Sequence, residues 1–200
     1  DRTGLLKQTE VKIDVLTKKA YLQSNSFDEI ESVAKKAGDM AACIPSVPPI
    51  VPDRSQYRIS SSFGYRSDPF LGTKKRHTGT DFACHIGNEV YSTADGVVET
   101  VRTDGYGYGK YVIINHGFGY KTRYAHLSQI KVEKGMKVSR GTLIALSGNS
   151  GRSSGPHLHY EVIYKDNYVN PMNYMDLAMS VGEYSQVTEK ASVFSGNNPS

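Results

Sequence analysis

His157 and His159 occupy alternate positions in the run Ser154-Gly155-Pro156-His157-Leu158-His159-Tyr160-Glu161-Val162. Gly155 and Pro156 end a loop, while Tyr160, Val162, Ile163 and Tyr164 favour extended backbone, so both histidines fall at the start of a strand. Side chains alternate across a strand, which puts these two imidazoles on one face with backbones ~6–7 Å apart. Two imidazoles so placed can serve one chemical event, one as metal ligand and its neighbour as proton carrier. An isolated H-x-H beside a loop is otherwise a surface or hydrogen-bonding pair, so the weight rests on what else the chain supplies.

It supplies two more segments. Arg76-His77-Thr78-Gly79-Thr80-Asp81-Phe82-Ala83 carries a histidine with a carboxylate four residues on. That spacing suits one face of a helix, but Gly79 and two β-branched threonines argue for an extended or turned segment that brings His77 and Asp81 onto one ion. Imidazole and carboxylate are donors for zinc, whose catalytic sites keep three protein ligands and leave the fourth position to water. His77, Asp81 and one of the H-x-H pair make such a set. The third segment, Thr122-Arg123-Tyr124-Ala125-His126-Leu127-Ser128, is a strand-like run ending at a histidine. No Cys-x-x-Cys spacing points to a structural zinc knot.

These runs resemble the M23 family of zinc peptidases, the LytM or lysostaphin type of peptidoglycan endopeptidase. The matching runs are Ser62-Phe63-Gly64-Tyr65-Arg66, His77 to Ala83, Ala94-Asp95-Gly96-Val97-Val98, Tyr124-Ala125-His126-Leu127-Ser128 and Gly151 to Glu161. They occur in the family's order from near Arg54 to near Asn173. The resemblance implies one zinc ion held by His77, Asp81 and His159, with His126 and His157 activating water and handling protons. It leaves open which of the two is the base. All five positions are intact, which favours an enzyme over those relatives that keep the fold, lose the ligands and regulate other wall hydrolases. Cys84 departs from the small apolar residue the motif leads one to expect. A buried thiol acting as a small hydrophobe is one reading; a thiol competing for zinc, or a Cys43–Cys84 disulfide, is the other.

The rest of the chain must position these groups. Its 200 residues, 38% hydrophobic, suffice for one core plus an appendage. Short β-rich runs separated by turns, at 89–92, 96–101, 110–115, 120–124 and 142–146, argue for antiparallel sheets. The fold class expected is mainly β, an antiparallel sandwich with a groove of the LytM type and a small N-terminal helical segment. His116-Gly117-Phe118-Gly119 reads as a hairpin link with His116 as a turn residue, and His85 as surface. Gly87-Asn88-Glu89-Val90 with Gly96-Val97-Val98 is echoed by Gly135-Met136-Lys137-Val138 with Gly141-Thr142-Leu143-Ile144. Carrier barrels show such echoes, but no lysine here sits at a hairpin tip between matched residues, so the echo is architectural.

Four segments follow: a helical region 1–44, a Pro-rich linker 45–53, the peptidase domain 54–175 and a tail 176–200. In the first, Ser26-Phe27-Asp28-Glu29 is a capping box, followed by Ile30, Val33, Ala34 and Ala37 at helical spacing until Gly38 offers a stop. Val11, Val15 and Leu22 suggest an earlier helix. Covering of the cleft by this upstream region is one role it could have. The tail begins as a short helix, and Ser195 to Ser200 reads as disordered.

A net charge of +4 suits contact with an anionic wall and is too weak to imply nucleic acid. Tyr106, Tyr108, Lys110 and Tyr111 could line a substrate groove. No run is long and apolar enough to span a bilayer, and the opening at Asp1 is consistent with a trimmed export signal or an upstream membrane anchor. The expected setting is the bacterial cell envelope, periplasm or surface. The expected activity is hydrolysis of peptidoglycan cross-links or stem peptides, with a D,D bond favoured; a non-catalytic wall-binding regulator is the alternative.

Overall fold

The computed structural model describes residues 2–53, 55, 57–67 and 72–196, in two compact units, Asp1–Ala41 and Ala42–Ser200. The first unit is formed by one helix, α1 (Arg2–Cys43), whose last two residues belong to the second unit. This corrects the expectation of two helices with a start at Ser26 and a stop at Gly38. Ser24, Asn25 and Ser26 each lower helix propensity by only a few tenths of a kcal/mol and Gly38 by ~1 kcal/mol, so neither stretch outweighs the helix formers around it. Pro45 is the first residue that cannot continue a helix, and α1 ends two residues before it. Leu16, Leu22, Phe27, Ile30 and Val33 on α1 are exposed. Among the described residues, no helix is long and apolar enough to cross a membrane.

Among the described residues the second unit carries thirteen strands: β1 Tyr57–Ser61, β2 Gly64–Ser67, β3 Lys74–His77, β4 Thr80–Cys84, β5 Glu89–Tyr91, β6 Gly96–Thr103, β7 Lys110–Gly117, β8 Tyr120–Leu127, β9 Gln129–Ile130, β10 Lys137–Val138, β11 Leu143–Leu146, β12 His157–Tyr164 and β13 Asn167–Val169. The main sheet runs β1-β4-β12-β8-β7-β6-β10, with β13 beside β12; β5-β11-β9 and the β2-β3 hairpin form two smaller sheets. Every pairing among the described residues is antiparallel. Phe82, Val112, Tyr124, Leu158, Tyr160 and Val162 from the main sheet meet Val90, Ile144 and Ala145 from the small one in a single core. The sequence echo has a structural meaning: β5 of the first copy pairs with β11 of the second, and β10 of the second with β6 of the first.

Residues 45–53 lie along this unit. Val47 and Ile50 are buried, and the Tyr184 hydroxyl donates to Pro48 O at 2.9 Å. Tyr184 belongs to α2 (Val181–Gly196), so the tail is helical as far as Gly196; positions 197–200 lie outside the described residues. Cys43 and Cys84 stand as thiols with no disulfide between them. Cys84 packs against the core. It is three residues past Asp81 on the same strand, hence on the opposite face, and burial pushes its thiol pKa up. It is the small hydrophobe, facing away from the Asp81 carboxylate.

His85 is exposed, as expected. His116 is not a turn residue: it lies inside β7, 2% exposed. Its Nδ1 donates to Asp95 O at 2.7 Å and its Nε2 accepts from Thr122 Oγ1 at 2.7 Å. Burial, partly offset by the Asp95 contacts, lowers its pKa to about 4. An unfolded histidine takes up its proton near 6.5, so unfolding binds a proton between these values and stability falls as pH drops from 6.5 through 4. The expected loss from His116 alone is about 3 kcal/mol. Urea unfolding of wild type and His116→Gln across pH 4–7 measures it; a Gln variant with the same pH slope as wild type would refute the assignment.

Candidate metal centre

The central strands β4, β12 and β8 build the site by register. Leu158, Tyr160 and Val162 point into the core, so His157, His159 and Glu161 point to the other face. On β4, Phe82 faces the core and Asp81 the site. Asp81 lies directly across from His159. The turn Thr78-Gly79 then brings His77, at the end of β3, back over the pair. Gly79 is required there, because a Cβ would strike the Tyr160 carbonyl and the ring of His159.

Three donor atoms converge. His77 Nε2 is 3.1 Å from His159 Nδ1 and 3.2 Å from Asp81 Oδ1, and His159 Nδ1 is 2.7 Å from Asp81 Oδ1. Donors ~2.0–2.1 Å from a tetrahedral zinc ion are about 3.3 Å apart, so the three already stand near zinc spacing. The far ring atoms fix the tautomers. His77 Nδ1 donates to Ser62 O at 2.9 Å, and His159 Nε2 donates to Glu161 Oε1 at 3.1 Å. Both remaining ring nitrogens therefore carry lone pairs, which face each other and a carboxylate. That arrangement demands a cation. Without metal a proton supplies it: burial opposes the charge on His159, but hydrogen bonds to Asp81 and Glu161 outweigh burial and push its pKa up to about 9. Burial likewise acts to raise Asp81, yet His159 and His77 hold it well below the usual carboxylate range. Arg66 Nη2 donates to its other oxygen, Oδ2, at 3.3 Å. The residues fit zinc.

His126 reaches the same face through a bulge. Tyr124 and Leu127 both face the core, although residues three apart on a regular strand face opposite ways. The extra residue appears as a register shift between the Lys110–Leu127 and Val112–Tyr124 pairs, and His126 takes φ 61°. The bulge turns its ring out of the core, to 4.6 Å from the His157 ring and 5.9 Å from that of His159. His126 Nδ1 donates to Ser150 O at 2.7 Å, and His157 Nδ1 to Gly155 O at 2.8 Å. Each thus keeps an Nε2 lone pair; that of His157 lies 3.7 Å from Asp81 Oδ1. Burial, aided by His157 and His159 and opposed by Ser150, lowers the His126 pKa to about 4, so its ring is neutral near pH 7.

All five histidine and aspartate positions expected from sequence thus meet in one cleft of about 430 Å³. Glu161 joins this set from beneath His159. Its carboxylate is fully buried and accepts from Thr78 Oγ1, from Tyr108 OH at 3.0 Å and from Arg123 Nη1 at 2.6 Å as well as from His159. The signal was present: H-x-H-x-E places Glu161 on the face of both histidines. Removing a carboxylate that orients a ligating histidine costs ~10–100-fold in metal affinity. Glu161→Gln is expected to weaken zinc binding by about that factor, measured by competition with a chromogenic chelator; unchanged affinity would show the pair to be structural only.

Residues 75–171 match the profile of Peptidase family M23. The chain is 53% identical over 122 residues to peptidoglycan DD-endopeptidase ShyA of Vibrio cholerae, an alignment covering 60% of this chain and 28% of that protein. A solved zinc-containing peptidase from Vibrio cholerae shares 45% identity over 64% of this chain and 39% of its own, with a TM-score of 0.58. A mutant catalytic domain of the prophage-encoded M23 protein EnpA from Enterococcus faecalis shares 30% identity, with 59% of this chain and 91% of that one covered and a TM-score of 0.53.

Proposed function

We propose that this chain, which belongs to peptidase family M23, is a zinc-dependent endopeptidase of bacterial peptidoglycan, cutting peptide cross-links or stem peptides, with the D,D cross-link its favoured bond. The observation that carries this reading is the convergence of three buried donors, His77 Nε2, Asp81 Oδ1 and His159 Nδ1, at zinc spacing on the floor of an open cleft. The chain spans about 28% of ShyA, so the activity named for that relative enters here as a proposal.

Zinc bound by His77, Asp81 and His159 would lower the pKa of water towards about 7 and polarise the scissile carbonyl. The protein's own residues do the rest. His126 and His157 both offer a lone-pair Nε2 beside the ligands. One takes a proton from the attacking water; a protonated imidazole then delivers one to the leaving amine. His126, held neutral by burial, suits the accepting role. Arg66 and Glu161 hold Asp81 and His159 in place. A non-catalytic regulator has no need of this donor set. The setting that follows is the bacterial cell envelope, and the periplasm its favoured compartment.

Incubating the zinc-loaded protein with isolated peptidoglycan, with and without a chelator, and identifying products by mass spectrometry tests the proposal. Chelator-sensitive new amino termini are expected, and their position identifies the bond. Intact peptidoglycan in both samples would favour the regulator.

A further inference from the structure

Tyr108 touches both the metal-binding and the proton-handling parts of the centre. Its hydroxyl donates to Glu161 Oε1 at 3.0 Å, the same oxygen that accepts from His159 Nε2 at 3.1 Å. Its backbone carbonyl accepts from the His126 amide at 2.9 Å. Its ring lies 5.7 Å from that of His159. Arg123 holds this ring, its guanidinium carbon 4.3 Å from the Tyr108 centroid, within the range of a cation–π contact. The register of β8 and β12 sets Arg123 directly opposite Glu161, and Arg123 Nη1 donates to Glu161 Oε2 at 2.6 Å. Tyr108 and Arg123 thus grip different oxygens of the one carboxylate that orients His159.

The backbone around Tyr108 is equally constrained. Gly107 and Gly109 take φ 62° and 64°, and a Cβ at Gly109 would strike Ser150. Arg152 N donates to Gly107 O at 2.8 Å. The segment that meets the Tyr108 loop in this way also supplies Ser150 O, which accepts from His126 Nδ1. His126 therefore has its amide fixed by one loop and its ring by another, and the two loops interlock. We infer that Tyr108 is a positioning residue for both parts of the centre: through Glu161 it orients the zinc ligand His159, and through its carbonyl it holds the proton acceptor His126. The inference rests on the zinc-peptidase reading above and deepens it. Tyr108 makes no bond to a zinc-facing donor atom among the described hydrogen bonds, so its effect on the metal passes through Glu161.

The test pairs two variants with two readouts that do not need turnover: zinc affinity by competition with a chromogenic chelator, and exchange of the His126 amide by NMR in the zinc-loaded protein. Tyr108→Phe removes the hydroxyl and keeps ring and backbone. It is expected to weaken zinc binding about 3–10-fold, the scale of one neutral hydrogen bond, and to leave His126 exchange unchanged. In a Glu161→Ala background, where the hydroxyl has no carboxylate to bind, the same replacement should cost nothing further. Tyr108→Ala removes the ring that anchors the loop. Zinc binding should weaken again, His126 exchange should quicken about 10-fold or more, and kcat at saturating zinc should fall by up to about 100-fold. Should Tyr108→Ala not fold, Tyr108→Leu takes its place in the same measurements. Wild-type zinc affinity in Tyr108→Phe, or wild-type His126 exchange in the variant lacking the ring, overturns the inference, since a tyrosine that only packs would lower stability and move neither. If the wild-type protein cuts no peptidoglycan, zinc affinity and amide exchange still decide it, and only the hydrolytic reading fails.

Discussion

His159→Ala is expected to leave a folded protein that binds no zinc after dialysis and cuts no peptidoglycan. The donor lost is the one that the rest of the site is built around. His159 lies across from Asp81 on β4, and its Nδ1 is the atom nearest to both remaining donors, 2.7 Å from Asp81 Oδ1 and 3.1 Å from His77 Nε2. Without it two protein donors remain where a catalytic zinc site needs three. The loss must exceed the ~10–100-fold that follows from removing a mere supporting partner, so Glu161→Gln serves as the internal scale. Folding survives because the groups left behind keep partners. Glu161 retains Thr78, Tyr108 and Arg123, and Asp81 retains Arg66 and His77. His77→Ala is expected to behave alike. Stoichiometric zinc in His159→Ala by elemental analysis, with the circular dichroism of wild type, would overturn the ligand set.

Strand alternation alone put His157 and His159 on one face, and β12 does begin at His157. Gly79 and its flanking threonines spoke for a turn instead of a helix, and His77 and Asp81 do sit on two strands joined by that turn. The same alternation rule sends His126 the wrong way, into the core with Tyr124. Only the bulge and a left-handed backbone bring it to the site, and a single extra residue in a ladder leaves no mark in composition or period. His116 failed for a related reason: the glycine after it signals the turn, and nothing local reveals that Thr122 and Asp95 enclose its ring. The unbroken α1 shows the weakness of capping signals when no proline enforces them.

His126→Ala separates chemistry from metal binding. Its ring makes no contact under 3.5 Å with the three donor atoms among the described hydrogen bonds; its one ring bond is to Ser150 O. Zinc content and affinity should therefore match wild type. Turnover should not. General acid or base catalysis by a positioned side chain contributes typically 10²–10⁴-fold, so kcat is expected to fall by about that factor with KM little changed. The backbone adds a second distinction. His126 holds φ 61°, a region that costs a side chain on the order of 1 kcal/mol, and its amide donates to Tyr108 O at 2.9 Å. Alanine meets the same backbone penalty as histidine, so His126→Ala removes the ring and keeps the bulge. Glycine would relax the bulge and confound the two effects. His126→Gln supplies a polar side chain that carries no titratable proton, and it should be as slow as alanine if proton transfer is the function. If positioning alone matters, glutamine recovers most of the rate. A kcat within threefold of wild type would move the proton-accepting role to His157, and zinc lost from His126→Ala would show that the ring supports metal binding instead.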